Sequence, residues 1–177
     1  MALNLMKKIG DAGVVVVVVP NEKYTEYIKE IANELGKNSS AVCYVSLNKL
    51  YASLNRLFDA KVKNKFFVID GITKSAMPDA PSADNCVYVS SASALTELSL
   101  SMNQVLATGQ FDSLLFDSLS TLLIYNKGAV VTQFVHDQMG KVVTLGGNAV
   151  FTCLEGDTKS SMIKDLGMFV DKVIHLS

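Results

Sequence analysis

Six consecutive valines, Val14–Val19, constrain the fold of this chain more than any other feature. Branched side chains of this kind fit a pleated strand better than a helix. A strand that is apolar at every position must be buried on both faces, which is typical of the middle of a parallel sheet covered by helices. The run is also far shorter than the ~20 apolar residues that a membrane-spanning helix requires. We therefore expect a central buried strand and no membrane segment.

Strand-like and helix-like patterns alternate along the rest of the chain. Further strands are predicted over 41–46, 66–70, 85–90, 113–118, 148–155 and 172–176. Apolar residues recur at helical spacing over 24–35, 47–58, 95–106, 130–142 and 162–169, with Gly36 as a plausible C-cap of the first helix, and 119–125 is interpreted as a short helical turn. Residues 71–85 have no periodicity and predict a long loop, either functional or a simple surface excursion. This order favours one α/β domain over residues 1–177, with a mostly parallel sheet between two helical layers.

Charge and cysteine content exclude several classes of function. Sixteen basic and seventeen acidic residues give a net charge of -1, so the chain lacks the broad basic surface of a nucleic-acid-binding protein. The three cysteines form no CxxC pair and each lies in an apolar run, which predicts buried thiols in a reduced, cytoplasmic protein. The two histidines have no ligand-like spacing to a cysteine, so we expect no metal site.

The ends of the predicted strands are where a ligand would bind in a sheet of this kind. Asp117 follows the apolar stretch SLLF and precedes Ser118, which is the Walker B pattern of a carboxylate that holds nucleotide-bound Mg²⁺ through water. Asp70 ends another strand in the same way, and it is equally well explained as a cap or turn residue. Both acids are therefore candidates, with Asp117 the more specific one.

Over most of its length the chain resembles the KaiC branch of the RecA-like ATPases. The similarity lies in DSLLFDSLSTLL, NAVFTCLE and MIKDLGMFVDKVIHL, and upstream in AVCYVSLNKLYASLNRL. The last of the C-terminal motifs contains the aromatic-x-Asp-x-hydrophobic run Phe169–Ile174 that leads into the final strand. The resemblance implies a RecA-like fold, a nucleotide site at the strand ends, and domains that assemble side by side.

The sequence departs from that family at the positions that carry its chemistry. A phosphate loop needs G-x-x-x-x-G-K-[ST], whereas the turn after the valines reads PNEKYT, with no glycine and with an acidic Glu22. The second strand is followed by Asn48, where the family has a glutamate that polarises water, and an amide cannot act as a general base. Vestigial nucleotide-binding candidates remain, and they are Asn21, Lys23, Thr25, Asn48, Asp117 and Ser118.

Other chemistries have less support. A receiver domain needs an acidic pair after the first strand, a serine hydrolase needs a G-x-S-x-G elbow, and a dinucleotide site needs a glycine motif after that strand. None of these patterns is present. We therefore expect no catalytic residues and no cofactor, ATP with Mg²⁺ being possible but not expected. The sequence favours a catalytically inactive RecA-like module that acts through a protein partner or self-association; the alternative is an atypical nucleotide binder with weak or no ATPase activity.

Overall fold

A computed structural model describes residues 4–177 and shows one sheet of seven strands, all parallel. The strand order across the sheet is β4-β3-β2-β5-β6-β1-β7. The strands are β1 (Val14–Val19), β2 (Val42–Ser46), β3 (Phe66–Asp70), β4 (Cys86–Tyr88), β5 (Ser113–Asp117), β6 (Asn148–Leu154) and β7 (Lys172–His175).

The described residues 4–177 contain eight α-helices, seven of which pack on the two faces of this sheet. They are α1 (Leu5–Ile9), α2 (Tyr24–Asn38), α3 (Tyr51–Leu54), α4 (Thr73–Ala76), α5 (Leu95–Ala107), α6 (Leu119–Tyr125), α7 (Gly128–Thr144) and α8 (Ser161–Leu166). The apolar residues of α1, α2 and α3 pack on one face of the sheet, which we call the α1–α3 face. Those of α5 to α8 pack on the other, the α5–α8 face. The predicted three-layer αβα architecture is therefore confirmed.

The valine run forms β1, and all six of its side chains are buried. Val14, Val16 and Val18 belong to the core of the α5–α8 face, whereas the three valines between and after them belong to the core of the α1–α3 face. This division follows from the alternation of side chains along a strand. Because β1 lies between β6 and β7, every valine side chain is enclosed by neighbouring strands and helices.

The helix predicted over 47–58 is wrong, because only Tyr51–Leu54 is helical there. Its first residues are tied to strand ends instead: Leu47 N donates to Asp117 O at 2.7 Å, and Tyr51 N donates to the Asp70 carboxylate at 2.7 Å. The apolar residues Leu54, Leu57 and Phe58 are buried as the pattern required, but through irregular turns.

Three smaller predictions also differ from the structure. Gly36 is not a C-cap, because α2 continues to Asn38 and buries this glycine inside the helix. The segment 71–85 is not wholly irregular, because it contains α4 and an isolated bridge between Ala83 and Cys86. The short α1 before the valines was not predicted.

Candidate functional site

The carboxyl ends of β2, β3 and β5 bring the polar residues of the predicted site together. Ser46 is paired in register with Asp70 on one side and with Asp117 on the other. The Asp70 carboxylate accepts hydrogen bonds from the backbone N–H groups of Ile72 and Thr73 at 2.7 and 2.8 Å, besides that of Tyr51. Asp70 is therefore a turn residue that anchors the chain after β3, one of the two roles expected for it.

Asp117 ends β5 with a fully buried carboxyl group. Its Oδ2 atom accepts a hydrogen bond from the Tyr44 hydroxyl at 2.7 Å, and its Oδ1 atom accepts one from the Asn48 amide at 2.8 Å. Burial disfavours the charged form and raises the pKa of Asp117 from its ordinary 3.8 to about 8. This group therefore keeps its proton to a higher pH than an ordinary aspartic acid, and both of its oxygen atoms contact protein donors.

Asn48 is the centre of the polar cluster. Its Nδ2 atom lies 2.8 Å from the Tyr24 hydroxyl, 2.8 Å from Asp117 Oδ1 and 3.2 Å from Ser118 Oγ. Its Oδ1 atom accepts a hydrogen bond from the Thr121 hydroxyl. Asn48 itself is exposed, and its amide contacts the buried Asp117 carboxyl group. We call Tyr24, Tyr44, Asn48, Asp117, Ser118 and Thr121 the Asn48 cluster.

The connection from β1 to α2 is too short to form a wide loop. Pro20 is extended, residues Asn21–Lys23 form a single 3₁₀ turn, and α2 begins at Tyr24. Lys23 N donates to Pro20 O at 3.2 Å, which directs this backbone N–H into the turn itself. A phosphate loop presents its backbone N–H groups to the anion, and this turn lacks the glycines that would permit that geometry.

The structure brings together only some of the predicted nucleotide-site residues. Asn48, Asp117 and Ser118 lie in the Asn48 cluster, and Thr25 lies beside it, with Lys49 Nζ 3.4 Å from its hydroxyl. Asn21 and Lys23 are exposed on the 3₁₀ turn, and no hydrogen bond or ion pair described within residues 4–177 involves their side chains.

Sequence analysis missed Tyr24, Tyr44, Thr121 and Lys49 as members of the site region. Tyr24 occupies the position next to Thr25 at the start of α2, and the Lys49 ammonium lies 6.0 Å from the centre of its ring. The available signal was the position of Tyr24 and Lys49 directly after β1 and β2, at the ligand-binding edge. Tyr44 gave no such signal, since it lies inside an apolar strand.

Metal and thiol chemistry have no support in the described part of the chain. Residues 4–177 contain no group of three or more histidine, cysteine or acidic side chains placed to hold a metal ion. Cys43, Cys86 and Cys153 are free and buried, as the sequence predicted, and burial raises the pKa of the Cys43 thiol to about 12. A thiol in that state is a poor nucleophile. Over the same residues, no helix is long and apolar enough to cross a membrane.

Comparison with known proteins extends the description of the fold. No family model and no curated protein matches the sequence. A crystal structure of the flagellar accessory protein FlaH from Methanocaldococcus jannaschii is similar, with a TM-score of 0.66 and 14% sequence identity; the match covers 98% of this chain and 76% of that one. With the seven-stranded parallel sheet, this likeness confirms the three-layer αβα RecA-like fold.

Proposed function

We propose that this chain is a RecA-like domain of the KaiC branch that does not hydrolyse nucleotide and that acts in the cytoplasm as a regulatory or scaffolding module. The observation that carries the proposal is that the Asp117 carboxyl group is buried and that both of its oxygen atoms contact protein donors. A carboxyl group that holds Mg²⁺ does so in its ionised form, whereas this group is buried, has a pKa raised to about 8, and contacts Tyr44 and Asn48. Metal binding would require the group to ionise and the Asn48 amide to move.

The β1–α2 turn supports the same conclusion independently. Phosphoryl transfer depends almost wholly on positioning and electrostatics, supplied by a phosphate cradle, a lysine and a metal ion. Here the turn has no glycine and carries Glu22, and the Lys23 side chain is exposed. Asn48 stands where a general base would be needed. A triphosphate would therefore find neither a cradle of backbone donors nor a group that activates water.

Assignment to the KaiC branch rests on two features of the C-terminal half. The strand β5 ends in Asp117, which Ser118 joins to the leucine-rich α6, and the run Phe169–Ile174 carries Asp171 directly before β7. The Asp171 carboxylate accepts hydrogen bonds from Gly13 N and Val14 N at 2.9 and 2.8 Å. In this chain the motif aspartate thus holds the start of β1 in the sheet.

Calorimetry with Mg-ATP tests the proposal. We expect no heat of binding to the wild type at millimolar nucleotide and no release of phosphate. Micromolar binding that Asp117→Asn abolishes, and that the exposed control Asp79→Asn retains, would overturn the proposal and establish the alternative, an atypical nucleotide-binding protein. Asparagine keeps the size of the Asp117 side chain, so a lost signal would report the carboxylate and not a damaged fold.

The regulatory role has a separate test. The similar structure is that of a flagellar accessory protein. For this chain we likewise propose an accessory role, which it would perform through contacts with other proteins. Sedimentation of the purified protein should show concentration-dependent self-association, or affinity capture from the native host should recover a partner in stoichiometric amount. A strict monomer that captures no protein would contradict the scaffolding role even if nucleotide binding is also absent.

A further inference from the structure

The outer surface of α7 carries a stripe of small and polar residues, with one exposed valine at its end, that runs along most of the helix. The stripe consists of Ala129, Thr132, Gln133, His136, Gly140 and Val143. These positions follow helical spacing, and the 14 steps between the first and the last correspond to about 21 Å at 1.5 Å per residue. A Cβ atom added at Gly140 would meet no atom within 4 Å, so the space above this part of α7 is open.

The turn after α8 forms the wall beside this stripe. Met168 and Phe169 are 74% and 48% exposed, although both are large and apolar. Their backbone is held in place by hydrogen bonds from Met168 N to Asp165 O and from Phe169 N to Leu166 O, at 3.1 and 2.9 Å. The Phe169 ring stands edge-on to His136 with 4.8 Å between ring centres, and hollows of about 420 and 250 Å³ lie against this pair. We call the stripe, this wall and the hollows the α7 groove.

The aspartate and lysine or arginine content of the α7 groove indicates negative charge. Among the described residues that line the two hollows, the lysine and arginine side chains are absent, whereas Asp165 and Asp171 are both present. A nucleic acid or an anionic lipid surface would be repelled by these carboxylates. An apolar segment that carries basic residues on its flanks would be complementary to them.

We propose that the α7 groove binds a basic amphipathic helix of a protein partner. This inference rests on the proposed scaffolding role and names the kind of partner. The length of the groove, about four helical turns, matches a docked helix better than a compact small molecule. Alanine, threonine and glycine on the stripe let a second helix backbone approach closely, while Met168 and Phe169 supply the exposed apolar anchors that dominate binding at such interfaces.

Fluorescence anisotropy with a labelled Leu/Lys amphipathic helical peptide, long enough to span the groove, tests the inference on the whole chain. We expect the wild type to bind this peptide, and Met168→Ser and Phe169→Ser each to weaken binding by about tenfold, as for an interface anchor. Asp165→Asn should weaken binding and reduce its salt dependence. Met77→Ser is the matched control, because Met77 is 54% exposed but lies outside the groove, and it should bind like the wild type.

Several results would overturn the inference. One is equal binding of a Leu/Glu peptide with the same apolar positions, since the groove would then show no preference for basic partners. Another is equal binding by the groove variants and the control. A dimer of the peptide-free protein that Met168→Ser dissociates would assign the groove to a second copy of this chain. None of these results depends on nucleotide, so each is distinguishable from failure of the proposal that this chain does not hydrolyse nucleotide.

Discussion

At the scale of single residues, the buried carboxyl of Asp117 should make stability depend on pH. Its pKa is raised from 3.8 to about 8 in the folded protein, so the folded state holds a proton that the unfolded chain releases. The contribution is most favourable below pH 4 and is lost as the pH rises through 8, at a slope of at most about 1.4 kcal/mol per pH unit. Asp117→Asn should remove this slope.

The measurement is the free energy of unfolding in urea between pH 4 and 8, taken as the difference between wild type and variant. This difference cancels the other groups that titrate in the same window. Asp79→Asn, at an exposed position, should give a flat difference curve. A flat curve for Asp117→Asn as well would mean that the carboxylate is ionised in the fold, and it would remove the main support for a closed site.

Sequence reasoning located Asp117 from its position at the end of an apolar strand, and the resemblance to the KaiC branch added Asn48 and Ser118. It could not find Tyr44, since a hydroxyl inside a strand that is buried on both faces has the same pattern as any core aromatic residue. It could not find Thr121 either, because this residue is buried within α6 and its hydroxyl reaches Asn48 only in three dimensions. The chemistry of the closed site therefore depends on long-range contacts that spacing does not reveal.

At the scale of elements, Gly36 should be required by the packing of α2. A Cβ atom at this position would lie 2.9 Å from Val62 Cβ, closer than real Cβ contacts come, and 3.0 Å from Phe66 Cε2, which is also a tight contact. Gly36→Ala should therefore destabilise the protein by about 1–3 kcal/mol, despite the better helix propensity of alanine. The change would be measured as the shift in the urea midpoint at constant slope.

Gly140 in α7 is the matched control, since no atom lies within 4 Å of an added Cβ atom there. Gly140→Ala should stabilise the protein by about 0.5–1 kcal/mol through helix propensity alone. If Gly36→Ala and Gly140→Ala change the free energy of unfolding in the same direction, Gly36 is not required by the packing of α2 against the turn before β3.

Among the elements that the sequence predicted well are β1 and β3, whose continuous apolar residues favour a buried strand. The helix predicted over 47–58 was wrong for a physical reason. Its apolar residues follow helical spacing, but hydrogen bonds to Asp117 and Asp70 hold its first residues at the ends of β5 and β3. Tertiary hydrogen bonds thus override local propensity at the edge of the sheet where the candidate site lies. The prediction that Gly36 caps α2 was wrong for a similar reason, because this glycine lies inside the helix and is buried against Val62 and Phe66.

At the scale of the whole molecule, the two cores share one sheet and should unfold together. Of the six tyrosines, Tyr24, Tyr27, Tyr44, Tyr51 and Tyr88 pack on the α1–α3 face, and the chain has no tryptophan. Tyrosine fluorescence therefore reports that face, whereas circular dichroism reports helices on both. Because the valines of β1 belong to both cores, we expect the two signals to give coincident urea transitions.

Asp171 provides the test of that coupling, because its carboxylate binds Gly13 N and Val14 N and so ties the start of β1 to the segment that enters β7. Asp171→Ala should lower the free energy of unfolding by about 1–2 kcal/mol, and Asp79→Ala should leave it unchanged. If the sheet is one cooperative unit, both signals must shift by the same amount, although Asp171 lies far along the chain from the tyrosines. A fluorescence transition that stays in place while the dichroism transition moves would show that the two faces unfold separately.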